Sequence, residues 1–382
     1  MPHRVEILQD VEISPKRPDG EPPAATYAFP FLCRLATGEI VCAFRRGQDK
    51  HSRDGVLLSC RSTDGGWAWS EPIVVHDGTG KHEPESVHAG VVGQDREGTV
   101  LALFKTVEAK DPQAFIFSEQ GRTLRQRFYV ARSLDRGETW SPAEPGTLPG
   151  TPRDHYVGTR PVLLADGRLF LAIEATDERG EVVLGSMSSD NGATWEPAWT
   201  CAADADAKIS HGDPRIAQLP DGRLLMMMWT WITKTEETLS VHACSAKDGG
   251  RTWSKPASTG VPSQIMAPLS IDGGRLVAVS NVRKPPQGIR LWVSSDCGQT
   301  WSTDRPIQMW DVAAERMLGV PLAAGASAPP LGQEVIWDAL PSFSFGLPDL
   351  VNVGKGQFVL TYYATIKNAL HVRACRFQLV DF

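Results

Sequence analysis

The sequence has no long hydrophobic run, and none of its stretches approaches the roughly 20 apolar residues that a membrane-spanning helix needs. It also has no basic cluster, because the net charge of −6 is spread along the 382 residues. Nucleic acid and membrane are therefore not expected as partners. The start, MPHRVEILQD, lacks the apolar core of a secretory signal. We expect a cytoplasmic protein, or a secreted one if a signal has been removed.

Cysteine is scarce and shows no pattern. The seven cysteines are an odd number without closely paired spacing, which argues against a complete disulfide framework and against a cysteine-based zinc site. Several lie in apolar, strand-like runs, where a reduced cysteine behaves as a small hydrophobic residue. The histidine spacing resembles no familiar ligand set either, so we expect neither a metal nor another cofactor.

Sustained helical periodicity is also absent, and the chain shows repetition instead. A motif of the form S-x-D-x-G-x-T-W occurs five times, as STDGGWAW (62–69), SLDRGETW (133–140), SSDNGATW (188–195), AKDGGRTW (246–253) and SSDCGQTW (294–301). Asp and Ser side chains hold turns by bonding nearby backbone amides, Gly allows unusual backbone angles, and Trp fills the space between sheets. Because a catalytic site is needed only once, five copies indicate a structural turn.

A second repeat occurs six times and consists of two apolar runs around a Gly-containing turn, which predicts β-hairpins. The copies lie at 29–44, 89–104, 160–173, 213–228, 267–280 and 347–362. With the boxes as turns of second hairpins, residues 1–382 are expected to form one all-β domain, a six-bladed β-propeller of four-stranded antiparallel blades. The sixth blade is one strand short, so we expect residues 4–13 to complete it.

The five boxes are similar to the Asp-boxes, or BNR repeats, of the sialidase (neuraminidase) superfamily, and residues 29–75 resemble the first blade of a sialidase. The resemblance implies a pocket where the innermost strands begin, and an exo-acting glycosidase. It matches a substrate-binding Arg to Arg46, the acid/base Asp to Asp49 or Asp54, and an activating carboxylate to Asp213. The chain departs from the family in blade one, which has Ala28-Phe29-Pro30 in place of Arg-Ile-Pro, and in the last blade, which opens without a Tyr.

Comparing the six hairpins with one another identifies further candidates at the same end of the propeller. At the starts of some first strands, charged residues occupy positions that are apolar in most blades. Polar or charged residues also occur where the second strands end. The predicted catalytic residues are Asp49, Asp54, Glu174, Asp213 and Tyr363. The predicted substrate-binding residues are Arg45, Arg46, Lys105, Arg160, His211, Arg215 and Asp349. A buried ion network around the axis is the alternative explanation for these charges.

Guanidinium groups bind carboxylates bidentately, so this set favours an anionic sugar. The predicted function is hydrolysis of a glycan by two carboxyl groups. Two alternatives stay open: a polysaccharide lyase acting on a uronic acid, and a propeller that only binds glycan or protein. The sequence gives no sign of an oligomeric state. The long segment 302–346 is expected to cover the pocket or to form a subunit contact.

Overall fold

The computed structural model describes residues 4–15, 25–110, 124–152, 155–322 and 343–380. Within these ranges the chain forms 26 strands and no helix, so no described helix is long and apolar enough to cross a membrane. The strands form six antiparallel sheets, arranged as the six blades of a propeller. This confirms the fold that the two repeats predict.

The blades are numbered in chain order, and the first strand of the chain, β1 (Arg4–Glu12), belongs to the sixth blade. Blade one consists of β2 (Thr26–Arg34), β3 (Ile40–Gly47), β4 (Val56–Ser62) and β5 (Ile73–His76). Blade two consists of β6 (Glu85–Gln94), β7 (Val100–Glu108), β8 (Gln126–Ser133) and β9 (Glu144–Gly146). Blade three consists of β10 (His155–Tyr156), β11 (Val162–Leu163), β12 (Leu169–Asp177), β13 (Gly180–Ser188) and β14 (Trp199–Ala202).

The second half of the chain forms the other three blades. Blade four consists of β15 (Ile209–Gln218), β16 (Leu224–Ile232), β17 (His242–Ala246) and β18 (Ala257–Ser258). Blade five consists of β19 (Met266–Asp272), β20 (Arg275–Val282), β21 (Gly288–Ser294), β22 (Ile307–Asp311) and β23 (Arg316–Pro321). Blade six consists of β24 (Phe345–Gly354), β25 (Gln357–Ile366), β26 (Ala369–Val380) and β1. First strands of neighbouring blades contact each other from blade four through five, six and one to blade two, whereas β15 contacts β12 and β13 of blade three.

All six predicted hairpins form, but two blades differ from the expected pattern. In blade three the first strand is interrupted, because residues 157–161 leave the ladder between β10 and β11, and Pro161 has no N–H to donate. In blade five, part of the segment 302–346 adds a fifth strand, β23, beside β22. Residues 323–342 of that segment lie outside the described residues, so its predicted role at the pocket stays a prediction.

The ring closes as predicted, through the N-terminal strand. β1 pairs antiparallel with β26 over a register that runs from Arg4 opposite Val380 to Glu12 opposite Arg373. The carboxylate of Asp10 reinforces this pairing, because it accepts hydrogen bonds from the Tyr362 hydroxyl at 3.0 Å and from Nη2 of Arg373 at 3.0 Å. The unpaired edge of blade six is thereby removed.

The boxes are turns between the third and fourth strands of blades one to five, as the sequence predicts. In SSDNGATW, the carboxylate of Asp190 accepts the Ser188 hydroxyl at 2.8 Å and the Thr194 amide at 2.9 Å. The Ser188 hydroxyl in turn accepts the amide of Gly192 at 2.8 Å, and Gly192 has a φ of 75°. Corresponding contacts to backbone amides surround Asp64, Asp135, Asp248 and Asp296. All seven cysteines are free thiols, and only Cys297 is not fully buried.

Candidate functional site

β-bulges near the starts of several first strands turn side chains toward the propeller axis. The register shifts at this point in blades one, two, four and six. In three of these blades the residue before the strand's Pro has a left-handed backbone: Phe29 (φ 61°), Asp213 (φ 46°) and Leu347 (φ 45°). Non-glycine residues adopt this conformation rarely, and outside tight turns such strain often marks a functional site. All three side chains line the same central pocket.

The pocket lies at the end of the propeller where the first strands begin, and every blade contributes to its wall. Its lining residues are Phe29, Phe31, His51, His88, Ala89, Lys105, Tyr156, Val157, Gly158, Glu174, Gly212, Asp213, Trp229, Trp231, Gln264, Ile265, Arg283, Phe343, Leu347 and Tyr363. Four of the twelve predicted site residues are among them: Lys105, Glu174, Asp213 and Tyr363. Nine of these twenty residues carry aromatic or imidazole rings, and the two carboxyl groups lie on one side.

Glu174 and Asp213 form the acidic side of the pocket. Glu174 comes from the end of β12 in blade three, and Asp213 from the bulge of β15 in blade four. The backbone amide of Asp213 donates to Oε2 of Glu174 at 2.6 Å. Loss of water contact raises the pKa of Glu174 to about 8, and the negative charge of Asp213 adds to this effect. Glu174 therefore carries a proton at neutral pH.

Arg215 supports Asp213 from below the pocket. Its Nη1 lies 3.8 Å from Oδ1 of Asp213 and donates to the carbonyl oxygens of Gly158 at 2.5 Å and Pro214 at 3.0 Å. Burial raises the pKa of the Asp213 carboxyl, and the Arg215 guanidinium opposes this rise. The cation therefore favours the ionised form of Asp213 over that of Glu174.

The opposite wall is built from aromatic rings around Phe29. The Phe29 ring centre lies 5.3 Å from that of His51, 5.4 Å from that of His88 and 5.7 Å from that of Tyr363. Burial lowers the pKa of His88 to about 3 and that of His51 well below its usual range. Both imidazoles are therefore neutral at physiological pH and line the pocket without adding charge to it.

Two cationic side chains lie in the wall, and protein groups hold both of them. Lys105 donates through Nζ to the carbonyl of His155 and lies 4.5 Å from the ring centre of Tyr156. Arg283 donates through Nε to Oε1 of Gln264 at 3.0 Å and through Nη1 to the carbonyl of Phe345 at 2.5 Å. These contacts fix the position of each charge at the pocket surface.

Tyr363 lines the pocket beside Arg283. Burial raises the pKa of its phenol, although the Arg283 guanidinium, which hydrogen-bonds to it, acts in the opposite direction. The ammonium group of Lys50 lies 5.9 Å from the Tyr363 ring centre and donates to the carbonyl of Phe343. Burial lowers the pKa of Lys50 to about 7, and the nearby Arg283 contributes to this.

Arg45, which the sequence predicts to bind substrate, does not line the pocket. The side chain is buried, and its Nε donates to the carbonyl of Val87 at 3.0 Å while Nη1 donates to that of Asp49 at 2.6 Å. Burial lowers the pKa of the guanidinium to about 10. Arg45 therefore holds the loop after β3 against blade two.

The other three predicted residues of blade one also lie outside the pocket lining. Neighbouring residues of a strand point to opposite faces, so Arg46 turns away from Arg45 and lies near Asp77. Asp49 accepts the amide of His51 at 3.0 Å, and Asp54 accepts the amide of Gln48 at 2.9 Å. Both carboxylates stabilise the turn at 48–54, as Asp residues commonly do in turns.

Arg160 and Asp349 lie deeper on the axis, in a smaller cavity that they share with Arg215. Phe31 lines both this cavity and the main pocket, and so lies between them. Asp349 accepts the amides of Leu32 at 2.8 Å and Leu350 at 2.9 Å, which links blades one and six. Nη1 of Arg160 lies 3.8 Å from Asp349. This pair fits the alternative of a buried ion network.

His211 lies on the far side of β15 from Asp213 and does not line the pocket. Its Nδ1 is 3.4 Å from Oγ1 of Thr230, and its ring centre is 5.4 Å from that of His242. Burial lowers its pKa to about 4. Among the described residues, no group of three His, Cys, Asp or Glu side chains is placed to hold a metal ion.

Arg283 and Trp231 line the pocket but are not among the residues predicted from the sequence, although strand alternation indicates them. The positions compared among the six hairpins end at Asn281 and Trp229, where the predicted second strands end. Because side chains two residues apart share a face of a strand, the next residue toward the pocket lies two positions later. That step leads to Arg283 in blade five and to Trp231 in blade four.

Known proteins share this repeat and this fold. The family model of the BNR repeat-like domain matches residues 38–360. A protein of unknown function from Dyadobacter fermentans has a similar structure, with a TM-score of 0.71 and 20% identity over 98% of this chain and 99% of that chain. The microbial sialidase Hz136 (Hadza) gives a TM-score of 0.67 and 17% identity over 93% of this chain and 65% of that one.

A third solved structure, the intramolecular trans-sialidase from Ruminococcus gnavus, gives a TM-score of 0.61 and 14% identity over 93% of this chain and 94% of that one. No curated protein matches the sequence. At such low identity, the structural likeness shows a shared fold and nothing finer. Because the family model spans most of the chain, this protein belongs to the family of BNR repeat-like domain proteins, and it has a sialidase-like propeller fold.

Proposed function

We propose that the protein is a glycoside hydrolase that acts on a glycan with an anionic sugar, and that Glu174 and Asp213 carry the reaction. The observation that supports this most directly is the Glu174–Asp213 pair on one side of an aromatic pocket. Glycoside hydrolysis uses two carboxyl groups, one protonated and one ionised. Solved relatives that are named as sialidases support a glycan as the substrate.

In this proposal Glu174 is the general acid. Its pKa of about 8 keeps the proton at neutral pH, so it can protonate the glycosidic oxygen as the bond to the leaving group breaks. In its ionised form, which the nearby Arg215 favours, Asp213 acts as the general base or as the nucleophile on the sugar carbon. The reaction needs no group beyond these side chains and water.

The rest of the pocket provides the sugar site. Aromatic rings such as Phe29 and Trp229 offer flat surfaces on which the C–H faces of a sugar ring can pack. Lys105 from blade two and Arg283 from blade five place positive charge in the pocket lining, which favours a sugar with a carboxylate. In this proposal the carboxylate of the sugar binds Lys105 or Arg283. It does not bind the arginines predicted from the sequence, which are Arg45, Arg46, Arg160 and Arg215.

Tyr363 and the remaining predicted residues take supporting roles in the proposal. Tyr363 faces the same pocket and contacts the substrate through its hydroxyl. Its raised pKa opposes the loss of the proton that a phenolate nucleophile requires. Asp349 and Arg160 stabilise the axis below Phe31, and Arg45, Asp49 and Asp54 stabilise the loop of blade one.

The test is a panel of 4-nitrophenyl glycosides and oligosaccharides that either bear or lack a carboxylate, with products identified by mass spectrometry. We expect the wild type to hydrolyse carboxylate-bearing substrates, and Glu174→Gln to lose most of its activity on oligosaccharides while retaining more on 4-nitrophenyl glycosides, whose leaving group needs little protonation. An unsaturated product that absorbs in the ultraviolet would show that the protein is a lyase and not a hydrolase. Saturable binding without any product would leave a glycan-binding propeller.

A further inference from the structure

Gly212 brings Trp231 and Glu174 together. A methyl group built on Gly212 would lie 2.8 Å from Cη2 of Trp231, 3.1 Å from Cζ3 of the same ring and 3.2 Å from Oε2 of Glu174. The edge of the indole and the carboxyl group therefore lie beside the same point above Gly212. A side chain at this position would push the two groups apart.

Trp231 is well placed to exclude water from this point. The side chain is only 2% exposed and packs with Trp229, at 5.2 Å between ring centres, and with Ile265. In the ladder, Trp231 is opposite Ser210, and Trp229 is opposite Gly212. The Trp231 ring thus reaches diagonally across two residues to Gly212, a distance that long aromatic side chains span.

We propose that Trp231 is a positioning residue for Glu174: its indole covers the Gly212 side of the carboxyl group, excludes water there and so keeps the proton on Glu174. The missing side chain at Gly212 is what permits this contact. The effect of Trp231 on catalysis rests on the proposed hydrolase function. Its effect on the protonation of Glu174 does not depend on that function.

Other groups facing Glu174 act on its charge in both directions. Asp213 on β15 and Glu181 on β13 disfavour the ionised form, and Arg215 on β15 favours it. Tyr156 on β10 is the strand partner of Glu174. Loss of water contact is the largest of these influences, so a change that admits water to the carboxyl group should move its titration.

The protonation of Glu174 can be measured without a substrate. Carbon-13 NMR of protein labelled at the glutamate carboxyl carbons follows each titration, and Glu174→Gln identifies the signal. In the wild type we expect proton loss near pH 8. In Trp231→Leu we expect the midpoint to fall by at least about one pH unit, a tenfold change in the acid dissociation constant, because water then reaches the carboxyl group.

Two further variants separate this role from general packing. Trp231→Phe keeps an aromatic side chain but removes the outer part of the indole, which carries Cη2 and Cζ3, so the midpoint should fall in the same direction, and this variant also serves if Trp231→Leu does not fold. Trp229→Leu removes a ring of equal size from the same strand and pocket, and should leave the midpoint within a few tenths of a unit of the wild-type value. An unchanged midpoint in Trp231→Phe, or an equal fall in Trp229→Leu, would overturn the proposal.

The outcome is independent of whether the protein hydrolyses glycans. If the midpoint falls in Trp231→Leu but the wild type hydrolyses no glycan, Trp231 has the proposed role and the proposed hydrolase function is wrong. If the wild type hydrolyses a glycan but the midpoint does not change, the hydrolase function stands and the proposed role of Trp231 is wrong. Where both hold, the alkaline limb of kcat/KM should move to lower pH in Trp231→Leu by the same amount as the NMR midpoint.

Discussion

The backbone amide of Asp213 lies 2.6 Å from Oε2 of Glu174 and donates a hydrogen bond to it across the boundary between blades three and four. The bulge in β15 makes this contact possible, because the register shifts between Gly212 and Arg215 and releases Asp213 from the ladder. One backbone feature therefore both aims the Asp213 carboxylate into the pocket and holds Glu174 beside it.

If this pair performs the proposed chemistry, Glu174→Gln and Asp213→Asn should each reduce kcat by roughly 10²- to 10⁴-fold, the usual contribution of a general acid or base. Glu174→Gln keeps the shape of a side chain that is neutral at pH 7, so its melting temperature should change little, whereas Asp213→Asn also removes the ion partner of Arg215 and should lower it, so activity is compared per folded molecule. Glu181→Gln is the matched control, since Glu181 acts on the charge of Glu174 but does not line the pocket. Near-normal activity per folded molecule in Glu174→Gln would rule out its role as acid.

The raised pKa of Glu174 also predicts how stability depends on pH. The native state holds the proton up to about pH 8, whereas the unfolded chain releases it near its usual value of 4.5. Between these values the native state binds more protons, so the free energy of unfolding should fall as pH rises. Melting curves from pH 4.5 to 8.5 should show a steeper decline for the wild type than for Glu174→Gln. Parallel curves would contradict the raised pKa.

The fold follows from the sequence more fully than the site does. The boxes and the Gly-containing hairpins act locally, through turns such as the one around Asp190, so each copy predicts its own strands. The closure by residues 4–13 follows from counting strands. The break in the first strand of blade three and the extra strand β23 depend on packing between segments, which no local pattern records.

The site was harder to predict because strand alternation and bulges decide which side chains reach the axis. Arg45 and Arg46 are neighbours in sequence, yet one is buried beneath the loop of blade one and the other turns to the opposite face. A bulge reverses this alternation, as at Asp213, and its position is not visible in the residue pattern. The charged residues at strand ends include Glu174 and Asp213, which line the pocket. They also include residues that only connect the blades.

The different positions of Arg45 and Arg46 give a paired test. Arg45→Ala removes the donor to the carbonyls of Val87 and Asp49, and should lower the free energy of unfolding by roughly 3 kcal/mol or more. Arg46→Ala changes a half-buried side chain outside the pocket, and should stay within about 0.5 kcal/mol of the wild type. Urea denaturation measures both. A larger loss in Arg46→Ala would contradict these positions.

The boxes should matter for stability and not for activity. Asp190→Ala removes the acceptor for the Ser188 hydroxyl and the Thr194 amide, which should cost about 1–3 kcal/mol. Turnover or glycan binding per folded molecule should remain nearly unchanged, because the box lies between the third and fourth strands and contributes nothing to the pocket. Abolished function in a well-folded variant would contradict the structural role.

Replacing Arg215 tests whether this residue acts on the site or only stabilises the ion network beneath it. Its cation, 3.8 Å from Asp213, lowers the pKa of that carboxyl, so Arg215→Met should raise the pKa and move the acidic limb of kcat/KM to higher pH. Stability should fall as well, by roughly 3–5 kcal/mol, because a buried ion pair loses one partner. The control is Arg160→Met, which removes a cation from the same small cavity but one that faces Asp349. It should lower stability without moving the acidic limb. Equal shifts of that limb in both variants, or no shift in either, would mean that Arg215 serves only the fold.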